Sequence, residues 1–157
     1  MRKISRYTWL SFCLACGVAQ AQTTPLAVVQ QYMQAWNQHN STQAGSFFAD
    51  NVSYYDASVG KPVNGKQQAT QQVIKTFVEA VPDLHWSMTS APVYNGNTIA
   101  FQWRFTGTNN GVWAGAPATH KKISFEGVSF IRVSQGKITY QGDYYDSKTL
   151  ADQLSVK

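Results

Sequence analysis

The residue best suited to chemistry in this sequence is Asp143, which lies among aromatic residues and has no basic neighbour in the chain. Residues 139–145 read Thr-Tyr-Gln-Gly-Asp-Tyr-Tyr. A carboxyl group that is removed from water and from positive charge binds its proton more tightly, so its pKa rises toward neutrality. Such a group can take up the proton of an acidic C–H bond and return it. Asp143 is therefore the candidate catalytic residue. The alternative is a buried, hydrogen-bonded acid with a structural role.

Other chemistries have little support in the sequence. The histidines His39, His85 and His120 lie at a predicted helix end, a strand start and a turn, and no two have the spacing of metal ligands. There is no Ser-His-Asp order, phosphate-binding glycine loop or dinucleotide fingerprint. We therefore expect a site without metal or cofactor. Asp56, which follows two tyrosines, is a second candidate acid.

The N-terminal residues have the pattern of a secretion signal. Arg2, Lys3 and Arg6 precede a short apolar core at residues 7–18, and Ala19-Gln20-Ala21 matches a signal-peptidase site. We expect residues 1–21 to be removed, which leaves one domain over residues 22–157 in the periplasm or outside the cell. The apolar core is too short to span a bilayer comfortably, so no stable membrane anchor is expected. Lipid attachment at Cys16 is the alternative.

Removal of this segment changes the charge and the cysteine content. Ten of the thirteen Lys and Arg residues remain against eight Asp and Glu, so the net charge falls from +5 to +2. The remaining basic residues are scattered, which argues against a nucleic-acid partner. Cys13 and Cys16 both leave with the signal, so the mature domain has no disulfide and depends on packing for its stability.

Hydrophobic periodicity predicts helices first and strands after them, which is an α+β arrangement. Helices are expected at residues 25–39, from Ser41 or Thr42 as N-cap to about residue 48, and at residues 66–80, before Pro82. After a short β-type run at residues 52–55, strands are expected at residues 84–94, 98–108, 122–133 and 138–145. Ser147 is the expected cap of a short closing helix.

Alternation along the strands predicts which face is buried. In the strand at residues 98–108 the odd-numbered residues are apolar, so the odd face points inward. In the last strand Asp143 shares a face with Gln141 and Tyr145, and Ile138 lies on the opposite face. Both faces of the last two strands carry apolar residues. We therefore expect a homodimer that covers the outer face and buries Phe130 or Tyr144.

The order of these elements and two of the turns resemble the SnoaL-like polyketide cyclase and ester cyclase group of the nuclear transport factor 2-like superfamily. In that group a Gly-x-Phe-x-Gly-x-Pro-Pro-Thr-Gly-Lys turn leads into a strand, a Gly-Lys-Ile turn and an acid-bearing last strand. Here residues 111–121 read Gly-Val-Trp-Ala-Gly-Ala-Pro-Ala-Thr-His-Lys, and Gly136-Lys137-Ile138 follows. The resemblance covers nearly all of residues 22–157. It implies a cone-shaped fold, in which a curved antiparallel sheet wraps around three N-terminal helices and a blind pocket.

The resemblance also implies roles for single residues. In the cyclases the acid five residues after the isoleucine of the second turn is the general acid/base, and Asp143 has this spacing. This chain has Ser129 where the cyclases carry a histidine, and Gln72 near their asparagine. Ala118 and His120 replace a proline and a glycine of the first turn.

An aromatic lining around one acid suits a small apolar or cyclic molecule. The expected substrate-binding residues are Tyr32, Trp36, Tyr55, Gln72, Trp103, Phe105, Trp113, Phe125, Ser129 and Tyr145. Two functions follow. The first is a cofactor-free isomerase-, cyclase- or hydrolase-like enzyme in which Asp143 moves a proton on a carbonyl compound. The second is a non-catalytic protein that binds a small molecule in the same pocket, and the fold does not decide between them.

Overall fold

The computed structural model describes residues 24–155, so the expected signal peptide and its cleavage site lie outside the described residues. The chain begins with helices α1 (Pro25–Asn37) and α2 (Ser41–Ser46). The N-cap of α2 is Asn40, whose side chain accepts the N–H of Gln43, one residue before the expected Ser41 or Thr42. Among residues 24–155, no helix has the length and apolar character needed to cross a membrane.

The helix expected at residues 66–80 is present but is not α-helical throughout. Lys66–Ala69 (α3) and Lys75–Ala80 (α4) flank a π-helical turn at Thr70–Ile74. The hydroxyl of Thr70 donates a hydrogen bond of 2.7 Å to the carbonyl of Lys66 at the start of this turn. Side-chain hydroxyls that bond back to the preceding turn disturb the regular ladder of a helix. The helix nevertheless buries one apolar side, which carries Val73, Ile74 and Phe77.

Seven strands form one curved sheet that does not close. They are β1 (Phe48–Asp56), β2 (Pro62–Asn64), β3 (His85–Met88), β4 (Val93–Asn95), β5 (Thr98–Thr108), β6 (Lys122–Ser134) and β7 (Lys137–Tyr145). Their order is β2-β1-β7-β6-β5-β3, and β4 also pairs with β5. The pairing of β1 with β7 is parallel, whereas the other pairs are antiparallel. A closing helix, α5 (Ser147–Leu154), follows, and its N-cap is Asp146 rather than the expected Ser147.

β1 is longer than the expected run at residues 52–55 and begins where the second helix was expected to end. Two predictions about the later strands were wrong. The strand expected at residues 84–94 is divided into β3 and β4, because two extra residues between Met88 and Val93 shift the register against β5, and Pro92 in this stretch has no N–H for the sheet. Ile138 was expected on the face opposite Asp143 but is fully buried. Arg132 pairs with Tyr140 while Val133 pairs with Ile138, so β7 bulges at the residue between and the alternation shifts there.

The buried face of β5 is the predicted one. Ile99, Phe101, Trp103 and Phe105 are all at most 4% exposed. The indole ring of Trp103 lies close to Gly127 of β6, where an added Cβ would be 2.5 Å from a ring carbon. The glycine thus leaves space on β6 for the indole ring of its partner residue on β5.

The turn before β6 contains a strained residue. His120 has φ of 57°, in the left-handed region that favours glycine, and it occupies the position where the resembled cyclases carry glycine. Its backbone N–H donates to the carbonyl of Asn109, and its ring contacts the side chain of Asn110 at 3.1 Å.

Candidate functional site

Asp143 lies on the inner face of β7 and is 5% exposed. Three groups donate hydrogen bonds to its carboxyl group. The hydroxyl of Ser129 is 2.5 Å from Oδ1, and the hydroxyl of Tyr54 is 2.6 Å from Oδ2. The amide nitrogen of Gln141 is 2.9 Å from Oδ2. The residues of β1, β6 and β7 therefore fix the orientation of this acid.

The surroundings of Asp143 raise its pKa into the neutral range. Burial and, to a smaller extent, the charge of Asp56 raise the pKa of Asp143 from 3.8 to about 7. The hydrogen bonds from Ser129, Tyr54 and Gln141 act in the opposite direction, because they stabilise the ionised form. Desolvation is the larger effect. The acid can therefore gain and lose a proton near neutral pH.

Asp56 is the neighbour of Asp143 across the parallel pair of β1 and β7. It is 3% exposed, and burial raises its pKa. Its Oδ1 accepts hydrogen bonds from the backbone N–H of Ser58 at 2.8 Å, from the hydroxyl of Ser58 at 2.5 Å and from the hydroxyl of Tyr145 at 2.8 Å. Its Oδ2 has no hydrogen bond to any of residues 24–155.

Both acids lie at the wall of one narrow cavity of about 20 Å³ between aromatic side chains, which have to move apart to admit a ligand larger than water. The remaining walls are aromatic side chains from the helices and the inner face of the sheet. They are Trp36, Tyr54, Phe77, Trp86, Trp103, Phe105, Phe125 and Tyr145. The indole N–H groups of Trp36 and Trp103 are buried and have no hydrogen-bond partner among the described residues.

The structure brings six of the expected site residues together at this cavity: Asp143, Trp36, Trp103, Phe105, Phe125 and Tyr145. Three others lie behind its walls. Ser129 is fully buried and contacts Asp143. Tyr32 is fully buried and packs edge-on against Trp36, and Trp113 packs against Phe77 with ring centroids 4.8 Å apart.

Two expected residues do not lie at the cavity. Tyr55 points to the outer face of the sheet, because its neighbours Tyr54 and Asp56 point inward, and its ring stacks on Tyr144 at 5.2 Å. Gln72 is exposed to solvent on its helix, since Val73 and Ile74 occupy the buried side.

Tyr54, Phe77, Trp86 and Gln141 belong to the site but were not predicted there. Alternation with Val52 and Asp56 would have placed Tyr54 on the inner face of β1, had the strand been predicted at its full length. Gln141 shares the face of Asp143, as expected, and its contact with the acid depends on side-chain geometry. Among residues 24–155, no three His, Cys, Asp or Glu side chains are grouped so that they could hold a metal ion.

The sequence matches the family model described as SnoaL-like polyketide cyclase over residues 26–154. No curated protein matches the chain. A proposed SnoaL-like polyketide cyclase from Jannaschia sp. CCS1 has a similar structure, with 14% identity, a TM-score of 0.74 and coverage of 88% of this chain and 96% of that chain. A proposed polyketide cyclase from Pseudomonas putida KT2440 has 16% identity, a TM-score of 0.72 and coverage of 84% and 98%, respectively.

A protein from Catenulispora acidiphila with a ketosteroid isomerase-like fold, solved in complex with trimethylamine, has 20% identity and a TM-score of 0.70. The match covers 86% of this chain and 96% of that chain. At these identities the structural likeness shows the fold alone. The family model spans nearly the whole described chain, from α1 to the end of α5, and on this ground the protein belongs to the SnoaL-like polyketide cyclase family.

Proposed function

We propose that this protein is exported and binds a small apolar or cyclic carbonyl compound in the aromatic cavity, where Asp143 transfers a proton. The reaction class is isomerase-, cyclase- or hydrolase-like and needs no cofactor. The observation that carries the proposal is the position of Asp143. It is an acid with a pKa of about 7, oriented by three hydrogen bonds at the wall of an apolar cavity. A general base works best when its pKa is near the working pH.

The proton transfer can be written with the groups that are present. Ionised Asp143 takes a proton from the carbon next to the carbonyl group, and the electron pair of the C–H bond moves into an enolate. Neutral Asp143 then returns the proton to the same or another carbon. The hydroxyl of Ser129 can turn to accept a hydrogen bond from the neutral acid, because a hydroxyl both donates and accepts. The acid therefore keeps a partner in both protonation states.

The unpaired indole N–H of Trp103 also favours a carbonyl ligand. Trp36 and Trp103 form part of the cavity wall. The N–H of Trp103 has no acceptor among residues 24–155, whereas the N–H of Trp36 lies near the hydroxyl of Tyr32. A buried donor without an acceptor costs about 1–3 kcal/mol. A carbonyl oxygen is an acceptor of the kind that the Trp103 donor lacks.

Exchange of the hydrogen atoms next to a ketone carbonyl for deuterium in D2O tests this proposal, and the natural substrate need not be known. The wild-type protein should catalyse deuterium incorporation next to the carbonyl of cyclohexanone or a related cyclic ketone, measured by NMR. Asp143→Asn should abolish the exchange but retain ketone binding, which the tryptophans of the cavity report by fluorescence, because the amide keeps the shape and cannot act as a base.

Asp50→Asn is the matched control, since Asp50 is an exposed acid in a surface ion pair with Lys66. It should exchange and bind as the wild type does. Binding of ketones without exchange in the wild type would favour the alternative function, a non-catalytic small-molecule binding protein. Exchange that persists in Asp143→Asn would remove Asp143 from the mechanism.

A further inference from the structure

The cavity combines two buried acids with no positive charge of its own. Asp56 and Asp143 are cross-strand neighbours at the cavity wall and are 3% and 5% exposed. The ion pairs among residues 24–155 involve Asp50, Glu79, Glu126 and Asp152, and neither cavity acid takes part. A buried carboxylate is unfavourable unless a counter-charge or a proton neutralises it.

The hydrogen bonds around the two acids leave one of their four carboxyl oxygens without a donor among the described residues. The backbone N–H of Ser58 and the amide nitrogen of Gln141 can only donate. Oδ1 of Asp56 and Oδ2 of Asp143 must therefore accept. Oδ2 of Asp56 differs from the other three carboxyl oxygens, because no described residue donates a hydrogen bond to it. It is the oxygen left for a ligand.

The other walls of the cavity suit an organic cation. Trp36, Trp86 and Trp103 contribute indole rings, which attract a cation near their faces more strongly than other aromatic side chains do. A bare metal ion would need several oxygen or nitrogen ligands, and the described residues offer no such group here. A nitrogen that carries alkyl groups instead places apolar carbon against the rings and its charge near the acids.

We propose that the cavity binds a small organic cation with an alkylated nitrogen, which contacts Oδ2 of Asp56 and the faces of the indole rings. This inference rests on the proposed function, because it uses the same cavity, and it adds that the bound compound carries a cationic nitrogen. Asp56 is then the counter-charge of the ligand. Asp143 remains the group that transfers a proton.

Choline and its neutral isostere 3,3-dimethyl-1-butanol provide the test. The two molecules have the same shape, but the charged quaternary nitrogen of choline is replaced by an uncharged carbon in the alcohol. Isothermal titration calorimetry on the wild-type protein at pH 8 should show that choline binds at least tenfold more tightly. Equal or weaker binding of choline would overturn the inference. If cyclohexanone binds and choline shows no preference over the alcohol, only this inference fails. If none of the three probes binds, the proposed function fails with it.

Asp56→Asn removes the charge and keeps the size of the side chain. We expect its choline affinity to fall at least tenfold while its affinity for 3,3-dimethyl-1-butanol stays the same, and Asp50→Asn should change neither. Retained binding of the alcohol shows that the variant is folded with its cavity intact. An unchanged choline affinity in Asp56→Asn would contradict the proposal.

The wild-type protein offers a measurement that does not depend on any variant. Choline affinity should weaken as the pH falls from 8 to 5, because protonation removes the negative charge, while binding of the neutral alcohol should not change. Asp143, whose pKa is about 7, titrates in this range, and burial raises the pKa of Asp56 in the same direction. The phenols that face the two acids, Tyr32, Tyr54 and Tyr145, have raised pKa values and stay neutral. A choline affinity that is independent of pH over this range would count against the proposal.

Discussion

The hydroxyl of Ser129 donates a hydrogen bond of 2.5 Å to Oδ1 of Asp143, and the two residues are direct partners across β6 and β7. The cyclases that this chain resembles carry a histidine at the position of Ser129. A hydroxyl orients the carboxyl group as an imidazole could, but it does not take up a proton near neutral pH. Asp143 is therefore the member of this pair that gains and loses a proton near neutral pH.

Ser129→Ala should separate the contribution of this hydrogen bond from that of burial. Loss of the donor leaves Oδ1 of a buried carboxylate without a partner, so the pKa of Asp143 should rise above its value of about 7. The free energy of unfolding at pH 8 should fall by about 1–3 kcal/mol, with a smaller loss at pH 5, where the acid is neutral. Urea denaturation at the two pH values measures both effects.

Ser124→Ala is the control, because Ser124 lies on the same strand with its side chain exposed. It should match the wild type at both pH values. Equal stability of Ser129→Ala and Ser124→Ala at pH 8 would show that the hydrogen bond contributes nothing measurable.

The raised pKa of Asp143 predicts that stability falls as the pH rises. The ordinary pKa is 3.8 and the folded value is about 7, so between them the folded state binds more protons than the unfolded state. The free energy of unfolding then decreases with increasing pH through this window, by at most about 1.4 kcal/mol per pH unit, and is level above it. Asp56, whose pKa is also raised, contributes in the same direction.

Asp143→Asn removes the larger part of this dependence. Its stability should equal or exceed that of the wild type at pH 7, because the neutral amide avoids the desolvation of a charge. Denaturation curves at pH 5, 6, 7 and 8 for both proteins provide the measurement. Parallel pH profiles, or a fall of several degrees in the melting temperature of the variant, would indicate a purely structural acid.

His120→Gly should stabilise the turn before β6. His120 has φ of 57°, which glycine adopts without the steric penalty of a side chain. The variant loses the contact between the histidine ring and Asn110, which is exposed and contributes little. The relief of strain exceeds the extra entropy that glycine gives the unfolded chain, so we expect a net gain of about 0.5–1 kcal/mol in the free energy of unfolding, measured by urea denaturation. His85→Gly in β3 is the contrasting change and should destabilise, since that position is regular strand.

The sequence predicted most elements of the fold because each of them keeps a single hydrophobic period, that of a helix or that of a strand, along its length. β5 begins and ends at the predicted residues, and its odd face is buried as the alternation indicated. Ile138 was placed on the wrong face because a bulge adds one residue without a signature in the local pattern. Asn40 was missed as a cap in favour of Ser41 or Thr42, and Asp146 in favour of Ser147, since serine, threonine, asparagine and aspartate have similar cap preferences.

The site was predicted only in part because its two acids are far apart in the chain. Asp143 is recognisable from its own neighbours in sequence. Asp56 lies beside it through the parallel pairing of β1 with β7, and strand alternation does not reveal which strands pair. Tyr55 illustrates the same limit, because an error of one residue in the facing of β1 exchanges Tyr54 for Tyr55 at the cavity.

Export remains a prediction of the sequence, and the N-terminus of the native protein tests it. Mass spectrometry of the periplasmic or secreted protein should give a chain that begins at Gln22, after the Ala19-Gln20-Ala21 site. A native protein that retains Met1, or one that carries lipid on Cys16, would contradict this prediction. Replacement of Ala21 by a bulky residue, Ala21→Tyr, should block processing and leave the longer chain.

The outer face of the sheet predicts a homodimer. Phe130 and Tyr144 are each 45% exposed and lie edge to face with ring centroids 6.1 Å apart, and Tyr55 stacks on Tyr144. A contiguous aromatic surface of this kind favours association, and a stable interface buries about 1,600 Å² in total. Light scattering on the wild-type protein should therefore give twice the mass of the monomer. The double variant Phe130→Ser, Tyr144→Ser should be monomeric and folded.

Tyr94→Ser is the matched control for the dimer, because Tyr94 is 54% exposed on β4, outside this aromatic surface. It removes a tyrosine of similar exposure and should leave the mass unchanged. If both sets of variants shift the mass equally, the association is not specific to the aromatic surface. A wild-type protein that is monomeric at every accessible concentration would refute the dimer, and the exposed aromatic residues would then need another partner.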